Sequence, residues 1–457
     1  MHFHNFQLKS IVIGSSVDIS REKLSQIFLD SEFIHAQLTL KDPTYFNFRN
    51  SDLLPMIHSL PKGDTKDVLL KIITKLLGHD IIHLNQNDIN FVKHHDSHLG
   101  CGIGVSNPIA RTLVLSLDAE GDGESGAVQI LKGRSPTNRA TISSNLDSLG
   151  YLYGMVTHYY GFRQGRHEGK ITGLAAYGKY SAATEILQNH VRVQNGYISL
   201  KYVKRNELAG LIKLIRQLGI ARNVKTSLYD IVSAAASETK FYPDLAFAVQ
   251  EVLESTVCEV TSYWLSKFEI HDVSLAGGVF SNVRLNAKLS ELSSVRSVSV
   301  FPNMGDGGLS IGGIWNLLAQ REQLGDGPLF ENMYLSDEFF NKFPIPIGES
   351  DLTGIQFNPL ENNHLVEVIV RHLIEGRFVG IHQNGVEFGP RALGNRTILF
   401  DPRNPSLGEE LNKRLKRTEF MPFAPIVLKD FFDEYMGTEN QSRQPFEYMT
   451  MTCKVKK

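Results

Sequence analysis

Two segments of the chain share one order of sequence patterns: a short apolar run, a glycine-rich turn and a stretch with helical spacing. The first is "DVSLAGG" followed by "VFSNVRLNAKLSEL", and the second is "SVRSVSVFP" followed by "NMGDGGLSIGGIWNLL". Short apolar runs bounded by glycine favour strands, and apolar residues three or four positions apart favour helices. This alternation predicts an α/β fold.

A β-hairpin is predicted upstream of these two units. The segments "RTLVLSLD" (residues 111–118) and "AVQILKG" have strand character, and the acidic, glycine-rich "AEGDGESG" between them is predicted as the turn. Between the hairpin and the first unit, "PDLAFAVQEVLESTVCEVTSYWLSKF" has apolar residues every three or four positions. That spacing predicts a long amphipathic helix.

The chain of 457 residues is longer than one hydrophobic core normally supports, so two domains are expected. Residues 325–354 lose the helical and strand periodicity and gather proline, glycine and acidic residues. We therefore predict a domain boundary in this interval, with a first domain over residues 1–340 and a second over residues 355–457.

The overall charge of the chain favours no class of charged partner. The chain has 47 basic and 49 acidic side chains and a formal net charge of -2, so a nucleic-acid partner is not expected. No segment has the length and hydrophobicity of a membrane span, and the N-terminus lacks the pattern of a secretory signal. The expectation is a cytoplasmic protein without a membrane partner. Three widely separated cysteines predict no disulfide framework.

The segment "FVKHHDSHLG" contains three histidines close together. On a helix, His94 and His98 lie four positions apart and share one face, which is the geometry in which two imidazoles can bind a single cation. Asp118 and Asp306 fall at predicted strand ends, where α/β folds collect functional groups. The alternative is that the histidines begin a surface helix and the two aspartates order turns. Glycines at 100, 102 and 104 are expected to weaken that helix.

Glycine turns raise the prospect of nucleotide binding. The turns at residues 121–123, 276–278 and 305–308 can each leave backbone N–H groups uncovered, which suits phosphate oxygens. Their arrangement fits the actin-like and sugar-kinase-like ATPases, and ordinary loop structure is the alternative. Beside such a cleft, Lys170 could meet a phosphate and Glu168 could order a hydroxyl or a metal-bound water. A solvated loop before a closely packed helix is the alternative for these two residues.

The C-terminal part is rich in basic residues interleaved with Phe, Pro and Leu. Because the planar guanidinium matches phosphate and carboxylate oxygens two at a time, a folded segment presenting several arginines is a candidate oxyanion receptor. Pairing with the acidic neighbours Glu387, Asp401, Glu409 and Glu410 is the alternative. The basic residues are Arg391, Arg396, Arg403, Lys413, Arg414, Lys416 and Arg417.

Six segments, in order along residues 90–453, resemble the NodU/CmcH family of O-carbamoyltransferases. The resemblance implies an N-terminal actin-like ATPase domain, related to the tRNA threonylcarbamoyl-transferase subunit, and a C-terminal α/β domain similar to YrdC-type threonylcarbamoyl-AMP synthases. The segments are "KHHDSHLGCG", "LVLSLDAEGDGESGAV", "SLGYLYGMVTHYYGFRQGRHEGKITGLAAYG", "SLAGGVFSNVRLNAKL", "FPNMGDGGLSIGG" and "GVEFGPRALGNRTILFDPR".

The resemblance also implies a two-step reaction. In the C-terminal domain, carbamoyl phosphate and ATP would form carbamoyl-adenylate with release of phosphate and pyrophosphate. In the N-terminal domain, iron(II) or another divalent metal would support transfer of the carbamoyl group to a hydroxyl of a small molecule, such as a secondary metabolite or a saccharide. Magnesium is a further candidate ion.

The resemblance assigns roles to residues that match the family segments. The metal ligands would be His94, His98, Asp118 and Asp306, and the catalytic set would be His94, His98, Asp118 and Lys170. The carbamoyl-phosphate side would hold Arg391, Arg396 and Arg417. The nucleotide cleft would be lined by Gly121, Asp122, Gly123, Glu168, Gly277, Gly278 and Asn282.

Three departures from the family pattern lead to further expectations. The N-terminal "IVIGSSVDIS" does not reproduce the family's first phosphate loop, and Gly385 in "QNGVE" takes the place of an arginine thought to hold carbamoyl phosphate. The second domain looks truncated, which leads us to expect a partner chain that completes it. The alternatives are a tRNA threonylcarbamoyl-transferase-like enzyme and a nucleotide-binding regulatory or partial subunit.

Overall fold

A computed structural model describes the chain over residues 11–13, 89–200, 243–325, 327–334, 362–383, 385, 387–417, 423–437 and 442–456. Most of the predicted domain boundary, and most of the divergent N-terminal segment, lie outside these residues. The strands are β1 Ile11–Ile13, β2 Ile89–Phe91, β3 Arg111–Gly121, β4 Glu124–Lys132, β5 Ser135–Ser144, β6 Val191–Gln194, β7 Tyr197–Leu200, β8 Asp272–Ala276, β9 Ser297–Val300, β10 Val379–His382 and β11 Arg396–Leu399.

Helices flank these strands throughout the described ranges, which confirms the predicted α/β class. None of them is both long enough and apolar enough to span a membrane. The helices are α1 His94–Val105, α2 Leu149–Tyr159, α3 Glu168–Leu174, α4 Ala182–His190, α5 Pro243–Phe268, α6 Val283–Ser290, α7 Leu309–Gln320, α8 Asn362–Ile374, α9 Pro405–Arg414, α10 Phe432–Tyr435 and α11 Gln444–Glu447.

A five-stranded mixed sheet in the order β5-β4-β3-β8-β9 forms the centre of the fold. β3 runs antiparallel to β4 and parallel to β8, and β8 runs parallel to β9. All five residues of β8 are buried, as expected for a parallel strand with both faces covered. The two predicted strand, glycine-turn and helix units are therefore neighbours in the sheet, and both turns lie at its same edge.

The predicted hairpin is present, but its turn is tighter than the sequence indicated. The β3–β4 ladder continues to the pair Gly121 and Glu124, which leaves only Asp122 and Gly123 to make the turn. Both have positive φ values, 55° and 86°, which are typical of the two-residue turns that match the twist of paired strands. The register shifts between the pairs Leu117–Gly126 and Gly121–Glu124, so residues 118–120 of β3 lie at an irregularity in the ladder.

The long amphipathic helix is confirmed as α5, which packs against the sheet and α6. Its buried side includes Val249, Val252 and Val257, which join strand residues such as Leu115 and Leu275 in the largest apolar cluster of the described chain. Burial of this stripe is what stabilises a helix of this length on the sheet.

The prediction that the glycines after His98 weaken the helix is wrong, because α1 continues to Val105. A Cβ atom on Gly100 would lie 1.8 Å from the carbonyl oxygen of Gly312 in α7, and one on Gly104 would lie 2.1 Å from the Trp315 ring. Only glycine permits this approach of α1 and α7. Tertiary packing thus offsets the cost of about 1 kcal/mol that each glycine adds inside a helix.

The C-terminal part carries a separate two-stranded antiparallel sheet, β10–β11, with α8 and α9. Its last segment returns to the central sheet. The Gln444 side chain accepts a hydrogen bond from the Val300 N–H at 3.1 Å and donates one to the Val300 carbonyl at 2.8 Å. The Asn286 amide donates to the Thr450 carbonyl at 2.7 Å. Backbone groups at the β9 edge are thereby satisfied by residues from far along the chain.

Candidate metal centre

Four side chains predicted as metal ligands converge at one edge of the central sheet. One ligand atom from each of His94, His98, Asp118 and Asp306 lies within 4.8 Å of all the others. The two histidine Nε2 atoms are 3.1 Å apart, and Asp118 Oδ2 lies 3.1 Å from Nε2 of His98. Asp306 Oδ1 lies 3.6 Å from each of the two Nε2 atoms.

The fold explains this convergence. His94 and His98 are four residues apart on the first turns of α1, so they project from one face. Asp118 lies two residues beyond the last β3–β8 pair, Ser116 with Ala276. Asp306 begins the 3-10 turn Asp306–Gly308 between β9 and α7. Because β3 and β9 point the same way in the sheet, their carboxyl ends bring the two aspartates to the same edge.

The ligand chemistry fits a divalent transition-metal ion. Two imidazole nitrogens and two carboxylate oxygens form a mixed N/O set of the kind used by zinc and non-haem iron. The imidazole of His98 is fully buried, whereas the Asp306 side chain is 53% exposed. The cluster is therefore enclosed by protein on the histidine side and open on the Asp306 side. Nδ1 of His98 has no hydrogen-bond partner among the described residues.

The charges within the cluster shift the pKa values of its members in opposite directions. Burial, and then the nearby His98, lower the pKa of His94. Burial also acts to lower the pKa of His98, but hydrogen bonds with Asp118 and Asp306 outweigh it and raise that pKa to about 9. Burial acts to raise the pKa of Asp118, and the same hydrogen bond to His98 reverses the effect and lowers it. The two shifts favour the charged forms of His98 and Asp118 in the metal-free protein.

The Gly277–Gly278 turn supports Asp118 directly. The Gly278 N–H donates to Asp118 Oδ2 at 2.9 Å, and the Ala119 N–H donates to Oδ1 at 2.6 Å. The Gly277 N–H donates to the Met304 carbonyl at 2.7 Å, and its φ of 99° together with contact against Leu117 excludes a side chain there. Both N–H groups of this turn are therefore used inside the protein, which differs from the uncovered groups that the sequence indicated.

Asn282 lies in a buried hydrogen-bond network next to this turn. Its Oδ1 accepts from the Leu285 N–H at 3.1 Å, which caps the N-terminus of α6, and its Nδ2 donates to Gln250 Oε1 at 2.8 Å. The Tyr153 hydroxyl donates to the same Gln250 oxygen at 2.8 Å, and Gln250 donates to Glu254 at 2.6 Å. Asn282 fixes the start of the helix that follows the turn.

The hairpin residues contact the histidine helix. Asp122 Oδ2 accepts a hydrogen bond from the backbone N–H of His94 at 2.8 Å. A Cβ on Gly121 would lie 2.2 Å from the His94 ring, whereas the space beside Gly123 is open. His95 is not a member of the cluster, and its Nδ1 bonds to Ser116 Oγ at 2.8 Å.

Lys170 and Glu168 do not belong to the four-residue cluster. The Lys170 amine lies 4.7 Å from the centre of the Phe162 ring, a cation–π contact. Glu168 Oε1 accepts from the Gly165 N–H at 2.6 Å and so orders the loop before α3. Their predicted roles at a nucleotide remain predictions.

The three predicted carbamoyl-phosphate arginines have different surroundings. Arg396 donates to the buried Glu387 at 3.2 Å, the acidic pairing considered as its alternative. Arg417 stacks on the Phe423 ring at 4.8 Å, and burial lowers its pKa. Arg391 donates to the Ser281 carbonyl at 3.0 Å, next to the turn that supports Asp118. Gly385 is buried with a φ of 76°, a conformation that favours glycine.

Sequence reasoning missed the residues that hold the histidine helix in place. Arg139 on β5 donates to Asp96 Oδ1 of α1 at 3.0 Å and to both carboxylate oxygens of Glu124 on β4. Arg139 lies in a strand with an irregular polar pattern, and neither its type nor its spacing distinguishes it from an ordinary exposed arginine. Only cross-strand register brings it to α1.

Comparisons with known proteins identify the family. Residues 14–314 match the family described as Carbamoyltransferase N-terminus, and residues 370–457 match Carbamoyltransferase C-terminus. The first match alone covers more than half of the 457 residues. The chain belongs to the carbamoyltransferase family, and its activity class is that of a transferase enzyme.

Three relatives illustrate the range of the family. An uncharacterized protein of Methanocaldococcus jannaschii is 30% identical over 81% of this chain and 68% of its own length. The nodulation protein NolNO of Sinorhizobium fredii is 28% identical over 86% of this chain and 55% of its own. The 3'-hydroxymethylcephem-O-carbamoyltransferase of Amycolatopsis lactamdurans is 23% identical over 75% of this chain and 62% of its own. The chain thus spans roughly half to two thirds of these relatives.

Proposed function

We propose that this protein is an ATP-dependent O-carbamoyltransferase. Carbamoyl phosphate, ATP and one water react to form carbamoyl-adenylate, phosphate and pyrophosphate. The carbamoyl group is then transferred to a hydroxyl of a small molecule. The convergence of His94, His98, Asp118 and Asp306 is the observation that carries the proposal. A relative named for O-carbamoylation of a hydroxymethyl group supports the hydroxyl acceptor.

The four-residue cluster would hold a divalent ion, which we propose to be iron(II). When bound, such an ion supplies Lewis-acid polarisation of a carbonyl or acidification of an attacking hydroxyl. The side chains themselves provide position and charge: Asp118 is fixed by the N–H groups of Ala119 and Gly278, and Asp306 lies on the exposed side. The open side is where an acceptor hydroxyl would approach.

We assign the first half-reaction to the C-terminal domain and the second to the N-terminal domain, divided as residues 1–340 and 355–457. The mixed sheet with two strand, glycine-turn and helix units supports an actin-like N-terminal half. Arg391 and Arg417, with no carboxylate within ion-pair distance among the described residues, support an oxyanion site in the second domain. With ATP as a substrate, the reaction belongs in the cytoplasm.

A partial-subunit function is the second candidate, favoured by the pairing of Arg396 with Glu387 and by Gly385 in place of an arginine. In that case a partner chain completes the C-terminal domain, and this chain binds nucleotide without making the adenylate. The two candidates differ in the first half-reaction.

The test measures the two half-reactions separately. The wild-type chain is expected to exchange labelled pyrophosphate into ATP only when carbamoyl phosphate is present, and to add the mass of one carbamoyl group to a hydroxyl acceptor when iron(II) is supplied. His98→Ala should abolish transfer and leave exchange unchanged, because His98 belongs only to the metal cluster. No exchange by the purified chain, with nucleotide still bound, would favour the partial subunit, and transfer by His98→Ala would end the metal assignment.

A further inference from the structure

The β3–β4 hairpin, together with Arg139 of β5, makes three separate contacts with the first turn of the histidine helix. Asp122 accepts from the His94 N–H at 2.8 Å. Arg139 links Asp96 of the helix, at 3.0 Å, to the Glu124 carboxylate. His95 lies between Ser116 Oγ at 2.8 Å and the Glu124 carbonyl at 3.2 Å. The first contact holds a proposed metal ligand itself, and the other two hold its neighbours in α1.

The first turn of α1 needs an external acceptor. The N-terminal N–H groups of any helix lack partners within the helix. Lys93, at the cap position of α1, makes no capping hydrogen bond with its side chain. The carboxylate of Asp122, which is 28 residues away in the sequence, takes that place. A carboxylate at this end also interacts favourably with the helix dipole.

The turn conformation directs this carboxylate to the helix. Asp122 has a φ of 55°, and in this turn its carboxylate reaches the His94 N–H at 2.8 Å. The His94 ring packs against Gly121, and a Cβ on that residue would lie 2.2 Å from the ring. The His94 ring and its backbone N–H are therefore both in contact with the same turn.

We infer that Asp122 and Arg139 are positioning residues that hold α1 so that His94 and His98 converge, and that the hairpin tip thereby acts as a clamp for the helix. Asp122 and Glu124 place two carboxylates at the tip, and both are already engaged with α1 or Arg139. The effect on metal binding rests on the proposed function, whereas the effect on the helix does not.

The experiment uses the full chain and compares Asp122→Gly with Asp122→Asn. Glycine adopts positive φ without strain and removes the acceptor, whereas asparagine also tolerates this conformation and keeps a neutral acceptor. We expect Asp122→Gly to bind Co²⁺ about tenfold more weakly than wild type, the scale at which hydrogen-bond partners of metal ligands act. Asp122→Asn should recover most of the loss, and the Co²⁺ absorption bands should shift in Asp122→Gly because the ligand geometry changes.

Hydrogen-exchange mass spectrometry of the metal-free protein tests the clamp without metal. Amides of residues 94–98 should exchange several-fold faster in Asp122→Gly and in Arg139→Gln than in wild type. Glu120→Gln removes the same charge from the exposed part of the hairpin and should leave exchange and Co²⁺ binding unchanged. Arg139→Gln keeps the turn intact, so it tests the clamp even if Asp122→Gly does not fold.

Wild-type exchange of these amides in Asp122→Gly and Arg139→Gln would overturn the inference. Equal losses in Glu120→Gln would overturn it as well, since the effect would then follow net charge. A wild-type protein that binds no Co²⁺, but whose variants show faster exchange, would refute the metal site of the proposed function and leave the clamp standing.

Discussion

The metal centre and the arginine-rich C-terminal segment are both clusters of charged groups, but they are built in different ways. The ligands of the centre come from a helix, a strand and a turn that are distant in the sequence, and the imidazole of His98 is fully buried. In the C-terminal segment, Arg403 pairs with Asp401 two residues away and Arg414 with Glu410 four residues away. The Arg403 side chain is 74% exposed.

This difference shows where charge can be used for chemistry. Local pairs on the surface neutralise each other in high dielectric and contribute little. A buried group from a distant element is kept only where the surrounding fold supplies its partners, and there interactions are stronger because water is excluded. In the C-terminal segment Glu387 resembles the centre, since its side chain is fully buried.

Removal of a ligand from the centre should have the largest effect. We expect His94→Ala and His98→Ala to weaken metal binding more than about 100-fold, because even hydrogen-bond partners of ligands contribute about 10–100-fold. Metal content of the purified proteins, measured by mass spectrometry, checks this. The control is His364→Ala on α8, whose side chain is 60% exposed. Full metal content in both cluster variants would contradict the assignment of the buried centre as a metal site, and with it the difference between the two regions.

Disruption of the contact between α1 and α7, which lies away from the ligands, should have the next largest effect. A Cβ in Gly100→Ala would strike the Gly312 carbonyl and push α1 from α7. We expect a loss of about 3 kcal/mol in the free energy of unfolding, with weaker metal binding although no ligand is changed. Urea unfolding and Co²⁺ titration measure the two effects.

The matched control for Gly100→Ala is Gly408→Ala in α9 of the C-terminal segment. Its added Cβ would lie 3.8 Å from the nearest atoms, which is ordinary contact. We expect this variant to be stabilised by about 0.5–1 kcal/mol through helix propensity. Equal destabilisation by both substitutions would contradict the role we give to the α1–α7 contact.

Glu387→Gln should cost about 2 kcal/mol, since the carboxylate accepts from the N–H groups of Leu393, Asn395 and Arg396. Burial acts to raise the pKa of Glu387, but these N–H groups and the Arg396 side chain outweigh it and lower the pKa to about 2. Because the folded pKa lies below the unfolded value of about 4.3, the stabilisation is complete above that value and is lost as the pH falls toward 2.

Urea unfolding of wild type and Glu387→Gln across this pH range measures the effect. The difference in stability should shrink as the solution is acidified. Glu367→Gln, which changes a side chain that is 78% exposed, is the control and should stay within about 0.5 kcal/mol of wild type. A difference that grows at low pH would have the wrong sign for a carboxylate held ionised in the folded state.

The smallest effect is expected for Arg403→Gln. Its partner Asp401 bonds it at 2.9 Å, but the pair is local and exposed. We expect a loss smaller than that of Glu387→Gln, and one that disappears in 1 M salt, where the screening length falls to about 3 Å. Thermal unfolding at low and high salt checks this. A loss comparable with that of Glu387→Gln would show that this surface pair is not merely local.

The sequence predicted the hairpin, the long helix α5 and the two strand, glycine-turn and helix units because each depends on local periodicity and turn chemistry. Helical spacing and strand ends offered the four members of the cluster as candidates, and the family resemblance predicted them as metal ligands. The length of the turn, the use of the Gly277 and Gly278 N–H groups and the continuation of α1 through Gly104 were not predictable in this way. Each depends on what another element places beside the residue.

The order of amino acids by itself determined the α/β class and the helical face shared by His94 and His98, because both follow from repeats of two to four residues along the chain. The tertiary structure decided that Asp118 and Asp306 meet those imidazoles, that Asp122 caps the helix, and that glycines at 100 and 312 are needed. These outcomes depend on the register of the strands and on the distance between packed helices. At such short distances, one added methyl group would force two elements apart.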